Sequence, residues 1–201
     1  PEVIWENITS KNRNIIRKAQ KNNIQIHHTE DYSIFEHFIS IYNQTMQRDN
    51  AEEYYYFQEE FYKAIHDYLK GNYQVFYATL DDQIIAVSII LYANKQMHYH
   101  LSGSLSEYRS FAPTNLLLYE VALWGHQEGY KTFHLGGGLG SGNDNLYKFK
   151  AAFNRKSGLQ FSIGKQIFNQ ALYNQLVEER LAEDPNFDLE GKYFPLYRAK
   201  L

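Results

Sequence analysis

The segment from His134 to Phe153, HLGGGLGSGNDNLYKFKAAF, most constrains the fold of this chain, because a short apolar strand runs through a glycine loop into a helix. Five of the seven residues from Gly136 to Gly142 are glycine. Glycine tolerates positive φ and lets a ligand or another backbone come close, so this density is typical of a turn shaped for contact. The loop matches neither phosphate-binding fingerprint, since it lacks a terminal Gly-Lys-Ser/Thr and the Gly-x-Gly-x-x-Gly spacing.

Lys150 lies at the edge of the apolar side of the predicted helix. At 100° per residue it falls about 40° from Leu146, on the side that also carries Phe149 and Phe153. Its side chain either passes the core edge and reaches water or points into a cleft under the glycine loop. In a cleft, a partly desolvated cation stabilises developing negative charge. Position alone slightly favours the first interpretation.

Composition limits the classes of function. A formal net charge of -3 argues against broad, nonspecific adhesion to nucleic acid or anionic membrane, although it leaves local patches open. The absence of cysteine excludes disulfides, thiolate nucleophiles and cysteine zinc sites. The longest apolar stretch, Ile84 to Ala93, is about half a membrane span and indicates a buried strand. Because the chain starts at Pro1 without a leader, we expect a piece of a longer protein.

Hydrophobic periodicity predicts an α/β layered domain with a mixed sheet. The predicted helices are 10–22, 33–48, 58–69, 114–128, one behind the glycine loop, and 169–183. The predicted strands are 24–28, 73–80, 83–92, 97–102, 131–135 and 159–168. No internal repeat or interdomain linker separates them, so we expect one domain over residues 1–201.

Two groups of polar residues each have a purely structural and a functional interpretation. Alternation along 97–102 places His98 and His100 on one face and Met97, Tyr99 and Leu101 on the other. His134 could join the two histidines at a metal, but no carboxylate or third histidine stands at a recognised spacing, so we predict no metal site. The row Arg13, Arg17 and Lys21 is expected to be a solvated helix face with partners from elsewhere in the fold, in preference to a phosphate site.

Several segments together resemble the FemA/FemB/FemX family of peptidoglycan-bridge aminoacyltransferases, which use the acyltransferase fold known as GNAT. The similar segments are RNIIRKAQKNNI, RDN before YYYF, HYHLSGS, EYRSFAPTNLLLYEVALWGHQEG, FHLGGG and LYKFKAAFN. The likeness runs from about Lys11 to Phe168. It implies a mixed, mostly antiparallel central sheet flanked by helices. Similar domains also occur in acyltransferases that modify exopolysaccharides.

The resemblance implies a reaction and a set of site residues. Family members transfer an amino acid from aminoacyl-tRNA to an amino group of a UDP- or lipid-linked muropeptide precursor. Lys150 corresponds to the family's lysine at the aminoacyl ester, with Phe149 shaping that channel. Arg48 resembles the arginine near the precursor diphosphate and Tyr99 a site tyrosine, and Gly136, Gly137 and Gly138 line the substrate. The implied donor is aminoacyl-tRNA with no further cofactor, and the implied location is cytoplasmic, at the inner face of the membrane.

The chain departs from the family in length, because family members have two such domains with the acceptor site between them. This chain has room for one and is most similar to the second, so a second GNAT-like domain is an expected partner. Two alternatives remain. One is an acyl-CoA-dependent N-acyltransferase, although the place of the phosphate loop reads Arg109-Ser110-Phe111-Ala112-Pro113-Thr114, where Pro113 removes a donor. The other is a substrate-binding domain without catalysis.

Overall fold

The computed structural model describes residues 1–139, 143–156 and 158–199, so Gly140, Ser141 and Gly142 of the predicted glycine loop lie outside the described residues. The chain forms two compact units, Pro1–Gly158 and Leu159–Leu201. The expected single domain over residues 1–201 stays a prediction. The first unit contains the sheet and the larger core.

The first unit is built on a five-stranded sheet in the order β1-β2-β3-β4-β5. The first four strands form an antiparallel meander, and β5 pairs with β4 in parallel. The strands are β1 Gln25–Thr29, β2 Tyr73–Leu80, β3 Gln83–Ala93, β4 Gln96–Ser104 and β5 Thr132–His134. The prediction of a mixed, mostly antiparallel sheet is confirmed.

Helices cover both faces of this sheet. The helices of the first unit are α1 Glu2–Asn7, α2 Ser10–Lys21, α3 Ile34–Arg48, α4 Glu59–Tyr68, α5 Pro113–Gln127 and α6 Asn145–Ala151. On β2, Tyr73 contacts Phe35 of α3, whereas Phe76 contacts Trp124 of α5. Residues an odd number apart on a strand point to opposite faces, so α3 and α5 lie on opposite sides.

The core is rich in aromatic and branched apolar side chains from both layers. Tyr42, Tyr62 and Tyr73 are almost wholly inaccessible to water, as are Phe35 and Phe38. Burial raises the pKa of the Tyr42 and Tyr73 phenols to about 12, so both stay neutral throughout the physiological range. Their burial adds large apolar area, which is the main favourable contribution to folding.

Strand β4 contains a bulge, and one residue beyond it lies on the opposite face of the sheet from the one predicted. Ile89 of β3 pairs with Leu101, but the next residue, Ile90, pairs with Tyr99, so His100 is the extra residue. Tyr99 therefore shares the α5 face with Met97, while Leu101 turns to the α3 face. The prediction that Leu101 shares a face with Met97 and Tyr99 is wrong, because period-2 alternation cannot anticipate an inserted residue.

The second unit contains helix α7, Gln170–Glu183, and a 3-10 turn, Leu196–Arg198. The predicted strand at 159–168 is wrong, since these residues form no strand. Alternating apolar residues become a strand only where a neighbour accepts and donates the backbone hydrogen bonds. Leu159, Phe161 and Phe168 instead remain highly exposed.

Candidate active site

The candidate site begins where β4 and β5 stop pairing. Their ladder joins Gln96 to Thr132, Met97 to Phe133, and finally His98 to His134. Beyond His134 the chain enters the segment Leu135–Leu139, and Tyr99 continues β4. We call the opening between Tyr99 and this segment the fork.

Lys150 of α6 projects its ammonium into the fork. Its Nζ donates a hydrogen bond of 2.7 Å to the Gly137 carbonyl and lies 5.7 Å from the centre of the Tyr99 ring. The side chain is half-buried, and burial lowers the pKa of the ammonium, while the Asp144 carboxylate acts in the opposite direction. Of the two interpretations of Lys150, the structure therefore supports the inward one.

The glycines provide the space that this arrangement needs. Gly136 has a φ of 75°, a conformation that side-chain-bearing residues rarely adopt, and a Cβ there would lie 3.2 Å from Lys150 Nζ. A Cβ at Gly138 would overlap the Asp144 carboxylate, whereas one at Gly137 would meet nothing within 4 Å. Positive φ thus favours glycine at residue 136 and the approach of Asp144 favours it at residue 138, while the substrate contacts of Gly136, Gly137 and Gly138 stay a prediction.

Asp144 positions the glycine segment against α6, and the sequence motifs did not identify it. Its carboxylate caps α6 by accepting from the Tyr147 backbone N–H at 2.8 Å, and it also accepts from the Leu139 N–H at 2.7 Å. These hydrogen bonds, with that from Tyr147 the strongest, lower the pKa of the carboxyl. Asp144 therefore connects the glycine segment to the helix that carries Lys150. An Asp directly before a helical pattern is a recognisable N-cap signal.

Tyr99 lies across the fork from the Lys150 ammonium, and Phe149 is the neighbour of Lys150 on α6. Tyr99 is partly buried, and burial raises the pKa of its phenol. Phe149 precedes Lys150 on α6, packs against the core, and contacts Phe153 with ring centres 5.5 Å apart. Its role in shaping a substrate channel stays a prediction.

Arg48 lies apart from this group, at the far end of β4. Its guanidinium donates to the Ser104 carbonyl at 2.8 Å and pairs with the Asp49 carboxylate at 3.0 Å. Ser104 is five residues beyond Tyr99 on β4, which corresponds to roughly 16 Å of extended chain. The arginine thus joins the end of α3 to the end of β4, and its predicted diphosphate contact stays a prediction.

Three histidines gather at the closed end of the fork. The Nδ1 atoms of His98 and His134 are 3.1 Å apart, and their rings stack with centres 5.3 Å apart. His100 lies 5.9 Å from His98 and 6.4 Å from Phe61 of α4, measured between ring centres. Burial, followed by the charges of His100, His134 and Lys150, lowers the pKa of His98. Within residues 1–139, 143–156 and 158–199, no three His, Cys, Asp or Glu side chains form a group that could hold a metal ion.

The start of α5 offers few backbone donors to a phosphate. Ala112, the N-cap, is left-handed with φ of 58°, and its N–H is bonded to the Arg109 carbonyl at 3.0 Å. Pro113 has no N–H, and the Asn115 N–H donates to the Ala112 carbonyl at 3.2 Å. Two surface cavities occur elsewhere, one beside His37 and Gln83 and the other beside Gln20 and Glu120, and neither is lined by Lys150. We take the fork as the candidate site because it, and not either cavity, brings a half-buried cation to closely packed glycines.

Residues 10–151 match the family described as an acetyltransferase (GNAT) domain. The chain belongs to this family of acyltransferase domains. The match covers all of the sheet and the helix that carries Lys150. The predicted GNAT-like fold is confirmed.

Solved structures of low sequence identity share the fold of this GNAT domain. FemX matches with a TM-score of 0.64 at 14% identity, over 76% of this chain and 55% of the FemX chain. The aminoglycoside acetyltransferase meta-AAC0020 from an uncultured soil metagenomic sample, in complex with sisomicin, matches with a TM-score of 0.55 at 13% identity, over 74% and 99% of the two chains. The aminoglycoside N-acetyltransferase AAC(6')-Iy in complex with CoA gives 0.51 at 13% identity, over 73% and 96%.

The GNAT domain spans just over half the length of the FemX chain. No curated protein sequence matches the chain. Among the helices of the described residues, none has the length and apolarity that crossing a membrane requires.

Proposed function

We propose that this GNAT domain transfers an amino acid from aminoacyl-tRNA to an amino group of a peptidoglycan precursor. The observation that carries the proposal is the Lys150 ammonium, held in the fork between Tyr99 and the glycine segment. It agrees with the FemA/FemB/FemX resemblance of the sequence, in which Lys150 corresponds to the lysine at the aminoacyl ester. The FemX fold is compatible with it.

The chemistry of aminolysis explains why a cation belongs there. An amine that attacks an ester carbonyl forms a tetrahedral oxyanion, and one well-placed donor contributes on the order of 10² to 10³ in rate. Lys150 already donates to the Gly137 carbonyl, so its ammonium is oriented into the fork before substrate arrives. Because burial disfavours the charge, an oxyanion is a strongly preferred partner.

The α5 terminus favours an aminoacyl ester over acyl-CoA as donor. A pyrophosphate bound at a helix start requires several backbone N–H groups, and here Pro113 lacks one while the Ala112 N–H is occupied. We therefore propose aminoacyl-tRNA as donor, with no separate cofactor. CoA-dependent N-acylation is the second candidate, which the similar fold of CoA-bound AAC(6')-Iy favours.

The remaining parts of the proposal concern the partners. The acceptor is a UDP- or lipid-linked muropeptide, and Arg48 contacts its diphosphate by exchanging the Asp49 carboxylate for phosphate oxygens. The match to just over half of FemX suggests a second GNAT-like domain as partner. Such a substrate places the protein in the cytoplasm at the inner face of the membrane.

Isothermal titration tests acetyl-CoA as a donor and the muropeptide as the acceptor. The intact chain is titrated with acetyl-CoA and with a UDP-linked muropeptide, and we expect heat from the muropeptide alone. Saturable acetyl-CoA binding without muropeptide binding contradicts the aminoacyl-transfer proposal. Muropeptide binding without any transfer from charged tRNA instead supports a substrate-binding domain.

Replacement of Lys150 tests the mechanism. We expect Lys150→Ala to reduce single-turnover transfer by a factor on the order of 10². Lys148→Ala is the matched control, because Lys148 is an exposed lysine of the same helix and leaves the fork unchanged. Equal rates for the two variants, with circular dichroism unchanged, would remove Lys150 from the mechanism.

A further inference from the structure

The imidazole pair at the closed end of the fork has no role in the reaction described so far. His98 is half-buried between the strands, whereas His134 is exposed at the sheet edge. Their Nδ1 atoms approach to 3.1 Å, which requires that one ring donates a proton and the other accepts it. This contact fixes the tautomers of both rings.

Either neutral ring can donate, and exposure distinguishes their roles. His134 is exposed and can meet a substrate, whereas His98 is partly buried, and burial favours a neutral His98 that accepts on Nδ1. With His134 as the donor, its Nδ1 carries the proton and its Nε2 keeps an unprotonated lone pair for a substrate proton. An orienting acceptor behind an imidazole base is the arrangement that general-base catalysis requires.

We propose that His134 is the proton acceptor for the attacking amine, and that His98 is a positioning residue that holds it in the accepting tautomer. The inference rests on the proposed function, because it supplies the base that aminolysis needs. It adds a catalytic residue for which neither the spacing of the sequence nor the family resemblance provided a candidate.

The pair behaves as a single proton site. When His134 takes a proton on Nε2, the imidazolium still donates through Nδ1 to His98, so the contact is retained. A second proton would place two N–H groups and two positive charges against each other at 3.1 Å. Besides burial, two nearby cationic groups outside the pair lower the pKa of His98: His100, on the same face of β4, and the Lys150 ammonium across the fork. The Asp144 carboxylate in turn stabilises the charge of Lys150.

The position of the pair suits a reaction between two substrates. His98, His100 and His134 face the α4 side of the sheet, where Phe61 lies beside His100. Lys150 contacts the Tyr99 ring, which faces the α5 side. His134 is two residues before Gly136, so the two backbone positions are at most roughly 7 Å apart, and a Cβ at Gly136 would lie 3.2 Å from the ammonium. An ester held by Lys150 and an amine held by His134 would thus meet through the fork.

The proposed step is balanced in atoms and charge. The amine nitrogen bonds to the ester carbon, and the carbonyl oxygen becomes an oxyanion beside Lys150. His134 Nε2 removes one proton from the nitrogen. The bond between the carbon and the ribose oxygen then breaks, and that oxygen takes the proton from the His134 imidazolium. The products are an amide and a tRNA with its hydroxyl restored.

The test is the pH profile of single-turnover transfer from charged tRNA to a UDP-linked muropeptide, between pH 5.5 and 8.5. Wild-type protein should lose rate at acid pH as the pair becomes protonated. His134→Gln should be slower at neutral pH by a factor on the order of 10² and should lose this acid limb. His98→Asn keeps an acceptor near the Nδ1 position and should retain most of the rate. His98→Leu lacks this acceptor, so its rate should fall at a different acid pH from that of the wild type.

The control is His126→Gln, which removes an exposed histidine at the end of α5 and should leave the profile unchanged. An active His134→Gln variant with the wild-type profile overturns the inference and leaves the proposed function standing. Absence of transfer by wild-type protein at every pH overturns the proposed function instead.

Nitrogen NMR of the histidine rings gives a readout that does not depend on activity. We expect His134 to carry its proton on Nδ1 in wild-type protein and in His98→Asn, and to revert towards the Nε2-protonated form in His98→Leu. A wild-type His134 protonated on Nε2 at neutral pH contradicts the proposed tautomer and overturns the inference.

Discussion

At the scale of single residues, Lys150 combines a charge that the reaction needs with burial that opposes the charge. Burial lowers the pKa of its ammonium below the ordinary 10.5. A lysine with a lowered pKa loses its proton as pH rises through that lower value, so the charged form predominates only below it. The transfer rate should therefore fall at a pH below 10.5.

The variant Lys150→Arg tests this assignment, because a guanidinium stays protonated above pH 12. We expect the alkaline limb of the single-turnover rate, corrected for spontaneous hydrolysis of the ester, to disappear in Lys150→Arg even if the plateau is lower. Lys148→Arg should keep the wild-type limb. If the rate of Lys150→Arg still falls at high pH, a group other than Lys150 causes that fall.

Gly138 has a second testable role, since it leaves room for the cap of α6. In Gly138→Ala the new Cβ would displace the Asp144 carboxylate from the Leu139 and Tyr147 N–H groups. Loss of such a cap costs about 1 kcal/mol of stability. We expect this loss in urea denaturation, together with slower transfer, because α6 carries Lys150.

Gly137→Ala is the matched control for that substitution, because a Cβ at Gly137 meets nothing within 4 Å. It should leave stability near wild type, because the Asp144 cap is undisturbed. Equal stability of the two alanine variants would mean that Gly138 does not protect the cap.

The helical pattern of the sequence predicted Lys150 at the border of the apolar side, and this is where the structure places it. The sequence suggested His134 only as an added metal ligand beside His98 and His100. It could not predict the Nδ1 contact, because His98 and His134 are 36 residues apart and meet only through the parallel pairing of β4 with β5. Local periodicity contains no information about which strands become neighbours. The chemistry available to a side chain follows from the sequence, whereas its neighbours depend on which strands pair.

At the scale of elements, the contact between α3 and β4 holds the long strand of the fork in place. The Ser104 N–H donates to Thr45 Oγ at 2.9 Å, and Arg48 donates to the Ser104 carbonyl. A Cβ at Gly103 would lie 2.8 Å from the Tyr42 Cα, which is backbone and cannot rotate away. The helix can approach this closely only because residue 103 is glycine.

Gly103→Ala should therefore separate α3 from β4. Overpacking of this kind typically costs about 1 to 3 kcal/mol, and we expect a loss of that size in the free energy of unfolding. Gly137→Ala again serves as control. A Gly103→Ala protein with wild-type stability would show that α3 can shift without penalty.

Most elements follow from local pattern, and the failures have a common physical cause. Strands 24–28, 73–80, 83–92 and 97–102 were predicted close to their observed bounds because alternation and turn residues mark them. The strand at 159–168 was wrong and the bulge at His100 was missed, since both depend on hydrogen bonds to another strand. Helix α1, Glu2–Asn7, was also missed, because six residues are too few for a clear helical period.

At the scale of the whole molecule, the proposed donor requires a negatively charged chain to bind a polyanion. The protein has 23 acidic and 20 basic residues, so long-range attraction to tRNA is absent and contact must be local. The row Arg13, Arg17 and Lys21 on α2 is one local cationic surface. Arg17 lies over the Trp5 ring and Arg13 donates to the Trp5 carbonyl.

The row is more open to phosphate than the sequence suggested. We expected acidic partners from elsewhere in the fold, but none of the ion pairs in residues 1–139, 143–156 and 158–199 involves Arg13, Arg17 or Lys21. Contacts with carbonyl groups and an aromatic ring leave the positive charge uncompensated. These side chains can therefore meet phosphates without first losing a carboxylate.

The salt dependence of tRNA binding tests this surface. Each phosphate contact contributes about 0.7 to 0.9 to the slope of log affinity against log salt concentration. The triple variant Arg13→Gln, Arg17→Gln, Lys21→Gln should bind tRNA more weakly at low salt, with a slope shallower by about 2. Lys63→Gln, which removes a cation already paired with Asp67 on α4, is the control. Wild-type slope in the triple variant, with its helix content intact, would place the tRNA on another face.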